Sequence, residues 1–377
     1  MAPALAFLLG VGEAVATRIG WVRRLEQSPR WSAAVREPRH IARPLANMIK
    51  RATMNMVAAA ALATTTIGGL APTGAFAQPA APPTASPTTE PATPIDLGED
   101  ESEGPIVSDS GAGYIDNAIV GHVFRFRYDA SYNNPQPGRA EFFWPVAGGF
   151  GPGPGPDISV DYQDFSAYLE LLMLPKLSVF IEAPARLLNP ELRDNTAGLG
   201  DSNVGFKYAF RQDADSTTTA QFRVYLPTGD GDRGLGTDHA SLEPALLHYR
   251  RLTERLAFFA ELRDWIAVGG TPNFAGNILR YGLGTSYLLS DCDACRPLSG
   301  VFEVVGWTVL EGATAITSFP PLRTQFTSAV GDTIVNAKVG LRWQLTPDTD
   351  LYAGYGHALT SETWYEDNFR IELRWLW

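Results

Sequence analysis

The last ten residues, NFRIELRWLW, constrain the fold more than any other stretch of the chain. Phe369, Ile371, Leu373, Trp375 and Trp377 fall on one side of an extended strand. Arg370, Glu372 and Arg374 fall on the other, with Leu376 the one interruption. This is period-2 alternation carried through to Trp377, where a soluble chain ordinarily frays into polar residues.

The same period recurs upstream. In HVFRFRYD, Phe124, Phe126 and Tyr128 alternate with Arg125, Arg127 and Asp129. In NVGFKYAFR, Phe206 and Tyr208 flank Lys207 and Phe210 continues their phase; in AQFRVYL, Phe222 and Val224 flank Arg223. RLAFFAELRD sets Phe258, Ala260 and Leu262 against Glu261 and Arg263, and VNAKVGLRWQ sets Val339, Leu341 and Trp343 against Lys338 and Arg342. A lone charge between large apolar groups is costly inside a soluble sandwich. It suits a cylinder whose apolar face meets lipid and whose polar face lines a lumen.

Connection lengths point the same way. About twelve strands are expected, joined alternately by long connections (131–163, 188–201, 228–240, 266–276, 311–332, 359–366) and short ones (Pro175-Lys176, 212–217, 251–254, 290–299, 345–349). Long loops on one side, short turns on the other and an even strand count describe a transmembrane antiparallel β-barrel with both termini periplasmic. Trp343, Trp375 and Trp377 then share the periplasmic rim, and the last strand closes the cylinder on the first. FRIELRWLW also resembles the C-terminal assembly signal of outer-membrane barrels, carried here by Phe369, Ile371, Leu373, Trp375 and Trp377. That resemblance implies contact with the outer-membrane assembly machinery as well as with lipid, although the usual last residue is phenylalanine.

The preceding third of the chain reads differently. Lys50 and Arg51, the apolar run Val57 to Ala63, and Ala75-Phe76-Ala77 make a signal peptide over 48–77, with Gln78 the expected first mature residue. Residues 1–47 read as an over-long gene start or a cytoplasmic extension. Residues 78–113 are rich in Pro, Thr and Ala and then acidic, which suggests a disordered linker. The barrel is expected over 114–377. Beyond the leader, no run of about 18 apolar residues offers a membrane helix.

The net charge of −11 argues against a nucleic-acid partner. Cys292 and Cys295, in SDCDACRP, fit a loop-stapling disulfide, two free thiols or a redox pair, in that order; no further ligands support zinc.

AGLGDSNVGFKYAF (197–210), followed by TAQFRVYLPTGDGDRGLGTD (219–238), resembles the outer-membrane family labelled "MetA-pathway of phenol degradation". The resemblance covers about 40 residues. It implies a barrel that passes small compounds, often aromatic; separately, no cofactor is expected.

Two rival chemistries are weaker. His239 and Ser241 have the HxS spacing of twelve-stranded outer-membrane phospholipases, but Leu242-Glu243 follow, and Thr253 stands where an orienting Asn belongs. They read as loop residues, and no enzyme is expected. Asp230, Asp232 and Asp238 miss the spacing of a calcium loop, and His122, His248 and His357 stand alone.

Parity points Arg125, Arg127, Lys207, Arg223 and Arg263 inward, together with Arg280, Lys338, Arg342, Arg370 and Arg374. The acids expected beside them are fewer: Asp129, Glu170, Glu182, Glu261 and Glu372. Ten cations against five acids imply a basic lumen and a passive channel with a mild preference for anions, aromatic or otherwise. The alternative is an ion-pair core filling a sealed barrel that anchors the linker.

Overall fold

The computed structural model describes residues 104–135, 138–139, 153–271, 275–290 and 296–377. The leader, most of the expected linker, and both Cys292 and Cys295 lie outside the described residues.

Twelve strands form the wall, and we number them along the chain. They are β1 (Val123–Asn134), β2 (Val160–Leu174), β3 (Leu177–Pro190), β4 (Ser202–Asp213), β5 (Ser216–Leu226) and β6 (Ala240–Arg251). Then follow β7 (Leu256–Val268), β8 (Ile278–Ser290), β9 (Leu298–Val309), β10 (Thr333–Thr346), β11 (Thr349–Ala358) and β12 (Asp367–Leu376). Each pairs antiparallel with its neighbours in sequence, and β12 returns to β1 in a ladder running from Val123↔Leu376 to Tyr132↔Asp367. The cylinder therefore closes without a free edge, as backbone groups facing hydrocarbon require.

The alternation explains the wall. Phe206, Tyr208 and Phe210 of β4 are exposed on its outside, as are Leu262, Leu283, Phe302, Val339 and Leu341 further round. Cross-strand neighbours Tyr128 and Phe165 bring their rings to 4.7 Å on this face. Such a continuous apolar belt suits contact with lipid. Trp343, Trp375 and Trp377, each about half exposed, gather at the end carrying the short turns. We call this the turn end; the opposite end carries the long connections and is called the loop end. There the segments Ala313–Ser318 and Arg323–Ser328 form a hairpin that also pairs with Gly138–Arg139.

The wall begins later than expected, at Val123. Residues 104–122 lie inside the cylinder, although the sequence placed the first ten of them in a disordered linker. From the turn end the segment climbs to an apex at Tyr114–Asp116 and descends again to β1. Val107, Ile115, Ala118 and Ile119 bury against Tyr168, Phe180, Leu247, Tyr249 and Phe259 on inward faces of the wall. Full burial of a Val or Ile side chain such as Val107, Ile115 or Ile119 stabilises the seating by roughly 1.5–3 kcal/mol.

Candidate functional site

The seated segment has few polar side chains, so the wall bonds chiefly to its backbone. Arg374 donates to the Ser110 carbonyl (3.1 Å), Arg342 to Gly111 (3.3 Å) and Ala112, Arg370 to Gly113 (2.7 Å), and Arg280 to Tyr114 (2.8 Å). In the opposite sense, the buried Glu303 carboxylate accepts the amides of Gly113, Tyr114 and Ile115 at 2.8–3.1 Å. Glycine is needed at 113, since a Cβ there would collide with the Tyr352 ring. Two acidic side chains add ion pairs, Asp109 with Arg251 (2.8 Å) and Asp116 with both Arg223 (2.7 Å) and Arg263 (3.1 Å). Burial pushes the Asp116 carboxyl up, but the guanidiniums of Arg223 and Arg263 prevail and hold it well below the usual carboxylate range.

Above the apex lies a chamber of about 360 Å³. Tyr114 and Asp116 form its floor, and Leu235, Thr237, Trp364 and Tyr365 from the connections border it at the loop end. Its wall mixes ion pairs with aromatic rings. Arg127 meets Glu182 at 2.9 Å, Arg186 meets Asp164 at 2.8 Å, and Arg370 meets Asp129 at 2.7 Å. Trp307 and Trp364 approach to 4.6 Å between ring centroids, with Arg280 over the Trp307 ring at 5.4 Å.

All fifteen charged residues selected by parity, ten cations and five acids, sit on the inner side of the wall. Nine of the ten cations reach a carboxylate, among them Lys207 with Glu170 at 2.8 Å and Arg125 with Glu182 and Glu372, both at 3.7 Å. Arg280 meets Glu261 at 2.7 Å, Arg374 meets Asp350 at 2.8 Å, and Arg263 pairs with Glu261. Lys338 is the exception among the described residues. The expected cationic surplus is corrected here, because Asp164, Glu243, Glu303 and Asp350 on the wall and Asp109 and Asp116 on the segment share the interior. They were missed because Asp164 and Asp350 lie at the margins of the expected strands, and because Glu243 and Glu303 share their inward faces with the apolar Leu247 and Tyr249 or Val301 and Val305, so no alternation marks them.

The GLGD and LPTGD motifs have a structural role at the mouth. The Asp201 carboxylate accepts the amides of Gly229 (2.9 Å) and Thr237 (2.7 Å), clasping the connection between β5 and β6. The clasp brings Leu235 inward against Val160, Tyr162, Leu188 and Tyr365. Asp230 caps the short 3-10 turn Gly231–Arg233, and no cluster of three or more metal-binding side chains occurs among the described residues. His239 and Ser241 share no hydrogen bond among the described residues, and Thr253 lies at the far end of β6, in the turn before β7. His122 stacks on Trp377 at 5.8 Å, His248 bonds Thr218 at 3.0 Å and His357 bonds Asp367 at 2.9 Å.

No family model matches the chain, and no curated protein matches it. Among solved structures it is similar to the COG4313 outer membrane channel from Pseudomonas putida F1, at 15% identity over 71% of this chain and 98% of that one, with a TM-score of 0.46. It is similar to the NanC porin at 10% identity, over 67% and 100% of the two chains, with a TM-score of 0.41. The KdgM porin gives 9% identity over 68% and 99%, with a TM-score of 0.37.

Proposed function

We propose that this barrel is an outer-membrane channel for passive passage of small solutes, with its turn end toward the periplasm and segment 104–122 as its gate. The observation that carries this reading is the division of the lumen. A polar chamber of about 360 Å³ stands above a segment that continues into β1 and is otherwise held to the wall by hydrogen bonds, ion pairs and apolar contacts alone. A barrel serving only as an anchor has no need of a chamber lined by charged and aromatic side chains. Because nearly every chamber cation is paired, selectivity between anions and cations is mild, and anionic or aromatic solutes are favoured by local sites more than by a net field. Lipid around the belt and the assembly machinery at Phe369 to Trp377 complete the set of partners.

Planar-bilayer recording on the full chain and on a variant lacking residues 104–116 tests this. The full chain should open rarely and the deletion should conduct several-fold more, with reversal potentials slightly on the anion side. If neither conducts nor swells liposomes, the lumen is sealed and the anchoring role takes its place.

A further inference from the structure

We propose that the chamber floor carries a subsite for a small aromatic carboxylate, with Lys338 as its cation, and that the seated N-terminal segment creates it. This rests on reading the chamber as a solute compartment.

Lys338 on β10 is the direct cross-strand partner of Glu303 on β9. Opposite charges so placed ordinarily pair. Here Glu303 is engaged by the three amides of Gly113, Tyr114 and Ile115, and the Lys338 ammonium is left without it. Its Nζ lies 3.7 Å from the centre of the Tyr114 ring and donates to the Tyr365 hydroxyl at 2.6 Å. A ring face and a phenol offset only part of the cost of burying a cation. The counter-ion missing from the wall is one the chamber can supply.

The surroundings define its chemistry. The Tyr365 hydroxyl accepts from both Lys338 and Asn336 (3.3 Å), so its own proton remains to donate. Lys338 and Tyr365 therefore offer a carboxylate both a charge and a hydrogen bond. Trp307 and Trp364 line the same chamber, so a ring bound there has aromatic neighbours. Coupling follows from the shared Glu303. A bound carboxylate favours the seated segment, whereas withdrawal of the segment returns Glu303 to Lys338 and discharges the subsite.

Calorimetric titration of the detergent-purified full chain with sodium benzoate, and with benzyl alcohol as a neutral isostere, provides the test. Benzoate should bind at least about tenfold more tightly than benzyl alcohol, the smaller effect of a charged hydrogen bond. Lys338→Met should abolish that preference and leave benzyl alcohol unchanged. Deleting residues 104–116 should also abolish it with Lys338 intact, and adding Glu303→Gln to the deletion should restore it. Equal benzoate affinity in the full chain and Lys338→Met overturns the subsite; full affinity in the deletion overturns the role of the segment. Heat-modifiable gel mobility reports folding, and should Lys338→Met fail to fold, the deletion pair decides. Bilayer recording on the same samples separates the two readings. Conduction without Lys338-dependent binding sinks the subsite alone, and Lys338-dependent binding without conduction sinks the channel alone.

Discussion

The two halves of the lumen are built from one alphabet and put to different use. At the turn end, Arg342 and Arg374 bond to backbone carbonyls of the inward segment while also holding Glu372 and Asp350. At the loop end, Arg127 and Arg186 pair only with wall carboxylates and leave a chamber between them. The difference lies in what stands opposite. A segment of Ser, Gly and Ala presents its amides and carbonyls at close range, so long charged side chains become its anchors. Where no segment reaches, the same side chains neutralise one another along and across the wall. Inward arginines thus report a polar interior and do not by themselves report a selective pore.

Closure underlies both halves, and its loss should have the largest effect. Removing Trp375 to Trp377 takes away the turn-end pairing of β12 with Val123 and Phe124 on β1. Unassembled, protease-sensitive protein is expected, with no heat-modifiable band on gels; a normally assembled barrel would contradict it.

Next comes the contrast between halves. Glu303→Ala leaves three buried amides without their carboxylate and should loosen the segment by about 3 kcal/mol, more than a hundredfold in the closed-to-open ratio. Asp164→Ala breaks a partly solvated pair with Arg186 and should cost under about 1 kcal/mol. Single-channel open probability, with hydrogen exchange of the Gly113 to Ile115 amides, measures both. Equal effects would erase the distinction between an anchored half and a self-neutralised one.

The smallest expected effect is that of pH. The folded-state pKa of Asp116 is depressed, so its link to Arg223 and Arg263 is fully present above the ordinary carboxylate range. It is lost only as pH falls through the depressed value. Gating should therefore stay flat from about pH 5 to 8 and loosen in stronger acid. Opening that begins near neutrality would place the controlling group elsewhere.

The wall was legible because alternation is local. Parity along HVFRFRYD or FRIELRWLW places each side chain inside or outside without knowledge of any partner, and the connection lengths show which strand ends share a side. One sign of the inward segment was also present. Leu247, Phe259, Val301 and Val305 occupy inward positions where a water-filled lumen calls for polar groups, and each is buried in the structure. Apolar residues on a polar face need a cover, and Val107, Ile115 and Ile119 provide part of it.

The sequence by itself determined a closed twelve-stranded barrel, its apolar outer belt, and the inward direction of Arg125 to Arg374. Both the cover and the pairing of charges belong to the tertiary structure. Gly113 meets Glu303 across 190 residues, and nothing in either local pattern names the other. Which carboxylate a lysine or arginine reaches depends on side-chain length, strand register and competition from backbone amides. Those distances exist only once the cylinder has closed around the segment, which is why Lys338 read as one cation among ten and stands in the structure without its cross-strand partner.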